Sequence, residues 1–271
     1  MDHVIVGRSG IGTTARIVQS QHLRFSHVTV SDPVLIIVKF GRKELHAPGF
    51  HCVLEAGDAV AIGQNQSLDI TNTPGPDGQY QAEWLVWDPA LISGYVPRNP
   101  GSRAVGAARN LGRVAEEFSR SIEIAFDALR RPNEVPHRLT EVLVWIDLLG
   151  SRFELRAPTS TGSMIRRFIA SSPDIDWTAA AVVEKVAMSE ATLRRRLAEE
   201  GTTLGVLVAD VRMSAAMQLL QSTDLPVSRI ALDVGYESAS RFAIRFRQRF
   251  GFAPSAIRGH HRKAVHDTAA G

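Results

Sequence analysis

One helical pattern occurs twice in roughly the last hundred residues, and it restricts that part of the chain to a tandem arrangement. The first copy centres on AMSEATLRRRL, Ala187 to Leu197, and the second on GYESASRFAIRF, Gly235 to Phe246. Each sets a short apolar helix before a tight turn, then a helix with apolar residues four apart. The pairs Leu193/Leu197 and Phe242/Phe246 stand 49 residues from one another. Both second helices carry several arginines. This is the pattern of two helix-turn-helix units, a motif that places a helix in the major groove of DNA.

In the second copy, Pro226 suits a first helical turn, because its missing N–H has no partner to lose there. Ile230, Ala231 and Val234 recur at helical spacing, and Gly235 offers a left-handed turn. Ser238 is the expected cap of the next helix. On that helix Phe242, Phe246 and Phe250 form a buried stripe, and Arg241, Arg245 and Arg249 a parallel outward one. In the first copy Ser189 is the expected cap. Arg194, Arg195 and Arg196 are consecutive and fan around roughly 200° of helix, so they do not share one groove. Arg194 and Arg195 are the expected contacts, Arg196 a surface residue. Guanidinium forks match guanine edges and phosphate oxygens, with about 1–3 kcal/mol of discrimination for a good base contact. The candidate DNA-binding residues are Ala191, Thr192, Arg194, Arg195, Ser238, Ser240, Arg241 and Arg245.

A long helix from about Thr203 to Ser222 links the copies, with Leu204, Leu207, Val208, Val211, Ala215 and Leu219 as its expected buried stripe. Such a rod would hold two heads about one DNA turn, roughly 34 Å, apart.

The 271 residues suggest two domains. From about Phe25 to Asp88 the chain reads as short strands: HVTVS, VLIIVKF, HCVLEAG, DAVAIGQ and YQAEWLVWD. Turn signals at Ser31-Asp32-Pro33, Pro48-Gly49, Gly57-Asp58 and Pro74 to Gly78 separate them. Strands without intervening helices imply an antiparallel barrel or sandwich. Leu111, Val114, Phe118, Ile122 and Leu129 then recur at helical spacing. After a break at Arg131-Pro132-Asn133, so do Leu139, Val142, Leu143, Ile146 and Leu149. This α-hairpin either packs on the barrel or forms a self-association surface, and the second is the expectation.

The expected fold is therefore α+β: an antiparallel β-barrel with an α-hairpin, then an all-α domain of two tandem helix-turn-helix units. The first domain spans 1–156 with the hairpin at about 103–150. A linker follows at 157–162, the DNA-binding domain at 163–262 and a disordered tail at 263–271.

These residues resemble the AraC/XylS family of bacterial transcription regulators over roughly Met164 to Arg258. SEATLRRRL, EEGTTLGVLVADVRM, IALDVGYES, SRFAIRFRQRFG and APSAIR carry the resemblance. The segments VLIIVKFG, LEAGDAVAI and QYQAEWLVWD resemble the small cupin-like barrel that precedes that domain in many members. The resemblance implies an N-terminal domain that binds an effector or dimerises, and DNA sites that are often direct repeats near promoters. Some barrel-bearing relatives bind sugars or fatty acids. Departures are Ala187 for a usual glycine, Ile244 for a frequent arginine and Ile257 for a usual aromatic.

The expected partners are double-stranded promoter or operator DNA, a second copy in a homodimer, a small-molecule effector, and RNA polymerase if the protein activates. No membrane partner is expected, since no apolar run reaches the roughly 18 residues of a span. The N-terminus lacks a secretory layout, and a single cysteine, Cys52, forms no internal disulfide. The expected setting is the cytoplasm.

Net charge is +3, with 15 Lys/Arg against 11 Asp/Glu in 163–271 and 16 against 17 before them. That excess permits a phosphate-binding surface. No cofactor and no catalysis are expected. His46 and His51 make no HxH cluster, so metal chemistry is not expected either.

Lys39, Phe40, Tyr80 and Trp84 are the candidate effector residues, with Trp87 another possible lining group. Ordinary core packing is the rival account of these aromatic residues. Lys39, Arg42 and Lys43 suit an anion, but a solvated edge strand is the expectation for them. Cys52 reads as core.

An NAD-type oxidoreductase is the enzyme-class rival. VIVGRSGIGTTA sets Gly7, Gly10, Gly12 and Ala15 in a near-dinucleotide fingerprint, with Asp32 further on. A P-loop fails at Thr13, where lysine is needed. Strands alone follow, whereas a dinucleotide fold must alternate strand and helix. The segment is expected to be flexible or an edge at the barrel entrance.

Overall fold

The computed structural model describes residues 6–8, 10–129, 135–155 and 160–257. The expected break at 131–133, the first half of the expected linker (157–159) and the tail lie outside them. The chain divides into two compact units, Met1–Leu155 and Arg156–Gly271.

The first unit opens with nine strands: β1 (Val6–Arg8), β2 (Gly12–Gln19), β3 (Leu23–Val30), β4 (Val34–Phe40), β5 (Arg42–Ala47), β6 (Phe50–Leu54), β7 (Asp58–Ile62), β8 (Gln66–Thr73) and β9 (Tyr80–Trp87). There follow α1 (Pro89–Ser93), β10 (Arg103–Ala104), β11 (Ala108–Arg113), α2 (Glu116–Ala128), α3 (Val135–Leu148) and β12 (Ser151–Arg152). Two antiparallel sheets form, in the orders β1-β2-β9-β4-β7-β11 and β3-β8-β5-β6. Among the described residues only β10 and β12, two residues each, pair in parallel.

Alternation along the strands divides the larger sheet into two faces. Leu35, Ile37, Ala59, Ala61, Leu85 and Trp87 point to one side, where they pack with Phe118, Ile122, Phe126 and Leu129 of the α2 region and Leu139, Val142, Leu143 and Ile146 of α3. The Trp87 indole donates to the Leu139 carbonyl at 3.2 Å. Apart from the exposed Leu149, the hairpin's apolar stripes are thus packed within their own unit, and the self-association reading of those stripes gives way to packing on the sheet. Leu111 also leaves the helical series, since it lies in β11, which pairs with β7.

The opposite face carries Ala15, Ile17, Val34, Ile36, Val38, Tyr80 and Ala82, all buried. The glycine-rich segment is no dinucleotide loop; its β1 portion is an edge strand of the larger sheet. β2 runs antiparallel to β9 from Gly12–Trp87 to Gln19–Tyr80, with β1 outside it, and no helix follows. β5 is an interior strand between β8 and β6, so its residues do not form a solvated edge. Lys43 on β5 is fully buried.

The second unit is helical among its described residues: α4 (Thr161–Ser171), α5 (Ala179–Val186), α6 (Glu190–Glu199), α7 (Leu204–Ser222), α8 (Val227–Asp233) and α9 (Ala239–Phe250). Thr161 and Gly162, assigned above to the linker, open α4, with Ser160 as its cap. Pro226 is the cap of α8 rather than its first residue. Along α7 the buried residues are Leu207, Val211, Met213, Ala216, Met217, Leu220 and Gln221; Ala215 and Leu219 are only half-buried. The helix packs against both α4 and α8, so no single stripe describes it. No single described helix is long and apolar enough to cross a membrane.

Candidate nucleic-acid interface

The two turns differ in chemistry. α5 ends at Ala187, which is left-handed at φ 50°, ψ 47°. α8 gives way to Gly235 at φ 81°. A Cβ at Gly235 would lie 2.6 Å from both the Pro173 carbonyl oxygen and the Arg212 guanidinium carbon, so the second turn requires glycine for space as well as conformation.

Each following helix is capped as its sequence predicts. The Ser189 hydroxyl accepts from the Thr192 N–H at 3.2 Å, and the Ser238 hydroxyl from the Arg241 N–H at 3.3 Å. Leu193 and Leu197 bury one side of α6; Phe242, Phe246 and Phe250 bury one side of α9. At 100° per residue, Arg195 falls opposite the midpoint of its leucine pair. Ala191, Arg194, Arg195 and Arg196 are exposed, while Thr192 is half-buried and its hydroxyl lies 2.9 Å from that of Ser189.

On α9, Ser240, Arg241 and Arg245 are exposed and Ser238 is half-buried in its capping role. Arg241 lies 3.5 Å from Glu237, both largely exposed, a separation that binds it weakly. Ile244 stands outward between the two arginines. Arg241, Ile244 and Arg245 border a groove with Tyr236, Asp174 and Asp176. Burial pushes the Tyr236 phenol up, and Arg212 and Arg245 partly offset this.

Arg249 does not continue the outward stripe. Successive i to i+4 steps turn about 40° around the helix, which carries Arg249 toward the buried side. There it meets Asp210 of α7 at 3.1 Å. Sequence spacing gave no sign of that partner, because Asp210 sits in a helix read only for its apolar residues.

The candidate effector residues do not share one site. Lys39 reaches Glu123 at 2.8 Å and Glu83 at 3.6 Å on the helix-covered face. Phe40 is exposed at the end of β4. Tyr80 lies on the other face, where alternation also puts Trp84, and Trp87 is on the helix side. Arg42 is exposed, 3.7 Å from Glu55.

A polar group joins Tyr80, made of Lys43, which the sequence offered as an anion ligand, and of Asn72 and Gln19, which it did not single out. Lys43 Nζ donates to Asn72 Oδ1 at 2.7 Å, and Asn72 Nδ2 donates to Gln19 Oε1 at 2.9 Å. The ammonium lies 5.5 Å from the Tyr80 ring centroid. Burial without a carboxylate partner lowers the Lys43 pKa from 10.5 to about 7, with a slight opposing effect of Cys52. Cys52 is buried, and burial pushes its thiol up to about 11.

Known proteins share both halves of this arrangement. The profile of a helix-turn-helix domain family matches residues 182–260. The transcriptional regulator GadX of Escherichia coli strain CFT073 is 35% identical over 80 residues, which are 30% of this chain and 29% of GadX. The HTH-type regulator Rv1395 of Mycobacterium tuberculosis is 32% identical over 124 residues, 46% of this chain and 36% of that protein. The match therefore spans well under half the length of either relative. In fold, the chain is similar to ToxT of Vibrio cholerae, solved with an unsaturated fatty acid bound: TM-score 0.67 at 14% identity, over 92% of this chain and 95% of that one. The similarity to transcriptional regulators thus lies in the helix-turn-helix region, residues 182–260 of which match the domain family, and the likeness to ToxT is one of fold.

Proposed function

We propose that this protein regulates transcription by binding two successive major grooves of one promoter or operator duplex, in the cytoplasm and without catalysis. One observation carries the reading. Two serine-capped helices in a single helical unit each bury an apolar stripe and turn arginines to solvent. Phosphate contacts supply affinity, and a few side chains at base edges supply preference. Ala191, Thr192, Arg194 and Arg195 read one groove; Ser238, Ser240, Arg241 and Arg245 read the next. Selection from random duplexes followed by footprinting tests this. Arg195→Ala is expected to weaken the selected site by about 1–3 kcal/mol and relax preference in one half only. Unchanged affinity and preference would remove Arg195 from the interface.

The first unit is proposed to hold a small-molecule effector between its sheets. The support is a surplus of buried donors: among the described residues Tyr80 Oη, Trp84 Nε1 and Gln19 Nε2 have no hydrogen-bond partner, beside a lysine that donates to a neutral acceptor. Such a surplus suits a ligand that brings acceptors. A homodimer completes the reading, through residues the hairpin leaves exposed, among them Ile124 and Leu148, rather than through its buried stripes. RNA polymerase is a further partner where the protein activates.

A further inference from the structure

Two neighbouring side chains of α7 hold parts of both helix-turn-helix units. The Asp210 carboxylate meets Arg249 of α9 at 3.1 Å on one oxygen and Arg166 of α4 at 3.7 Å on the other. The Arg212 guanidinium donates from Nε to the Pro173 carbonyl at 2.9 Å and from Nη2 to the Ile175 carbonyl at 2.8 Å. Those carbonyls belong to the loop that leads from α4 into α5. Arg212 also lies 5.9 Å from the centroid of Tyr236, in the turn before α9. Gly235 leaves the space for that guanidinium. Asp210, Arg166 and Arg249 are each under a third exposed, so solvent screens the bridge only in part.

The apolar packing leaves a task for these contacts. α6 is fixed to the spine through one cluster, in which Leu193 and Leu197 meet Ile165, Leu207 and Val211. α9 packs chiefly on α8, and α8 packs in turn on α7, to which the 223–226 segment joins it. Among the described residues, ties from α9 and its turn back to the middle of α7 include the polar ones made by Asp210 and Arg212.

We infer that Asp210 and Arg212 are positioning residues that lock the second reading helix to the spine and so fix the half-site spacing the protein accepts. The inference rests on the DNA-reading function proposed above and adds a basis for spacing specificity to it. One inserted base pair turns the second half-site by about 34–36° around the duplex axis. A rigid pair of heads cannot follow that turn; a pair released at the clamp can.

The test uses the full chain and a duplex it selects from a random pool. Two derivatives are needed: one base pair inserted between the half-sites, and the second half-site scrambled. For the unaltered protein the insertion is expected to cost at least about ten-fold in affinity, comparable to a mismatched base pair. For Asp210→Ala and Arg212→Met the same insertion is expected to cost less than about three-fold. Their affinity for the scrambled duplex should stay within about two-fold of the parent. Arg249→Gln severs only the α9 arm of the bridge and stands in where Arg212→Met lowers the helical signal. Arg212→Lys keeps one carbonyl contact without the planar fork, and its spacer penalty should fall between the two. An undiminished spacer penalty in folded variants overturns the inference, as does an equal loss on scrambled and complete sites. Failure of the unaltered protein to select any duplex removes the DNA reading itself, and the clamp with it.

Discussion

At the scale of single residues, the two turns should respond oppositely to exchange of alanine and glycine. Ala187 occupies the left-handed region, where a Cβ costs about 1–2 kcal/mol. Ala187→Gly is therefore expected to stabilise the helical unit by about 1 kcal/mol, less some loss from glycine's greater freedom when unfolded. Gly235→Ala meets strain and a 2.6 Å approach to Pro173 and Arg212, and should destabilise by more than about 1 kcal/mol. Chemical denaturation of the two variants decides the matter; equal effects at both positions would contradict the geometry. The serine caps at Ser189 and Ser238 were legible in the sequence because a cap bonds an N–H three residues on. Arg249 was not, because its carboxylate comes from another helix.

At the scale of elements, strands announced themselves where apolar residues dominate and escaped notice where they do not. VLIIVKF and YQAEWLVW read directly as β4 and β9. RKELHA and QSLDITNT, which became β5 and β8, carry polar residues on their inward as well as outward positions. Lys43 and Asn72 are the inward ones, and their pairing across the ladder is a tertiary fact that no spacing encodes. A pH dependence follows from that strand. Lys43 titrates near 7 when folded and at its ordinary 10.5 when unfolded. Above pH 7 the unfolded chain therefore binds more protons, and stability rises with pH by up to about 1.4 kcal/mol per unit. Below pH 7 the full cost of burying the charge persists. The clean window is pH 7 to about 9; beyond it Cys52 and Tyr80, whose protons burial retains, act in the opposite sense. Lys43→Met should raise the stability of the first unit at pH 7 and flatten the slope across that window. A slope that survives the substitution would assign it to another group.

At the scale of the whole molecule, the helical unit carries what it needs to fold alone. Its cluster of Ile165, Ile169, Trp177, Val182, Leu193, Leu197, Leu207 and Val211 draws on no residue before α4. A fragment of residues 156–271 is expected to unfold cooperatively and to select the same half-sites as the full chain, with less self-association by sedimentation. The starting point matters more than composition suggested. Ser160 accepts from the Ser163 N–H at 3.1 Å, and the Gly162 N–H donates to the Glu200 carboxylate at 3.0 Å. A fragment of residues 163–271, cut where loop-forming residues end in the sequence, lacks both contacts. It should be less stable than the longer fragment by about 1–2 kcal/mol, the range for a lost helix cap. Equal midpoints for the two fragments would show that the start of α4 frays without consequence. A longer fragment that remains dimeric would move the association surface out of the sheet unit and onto the DNA-reading helices.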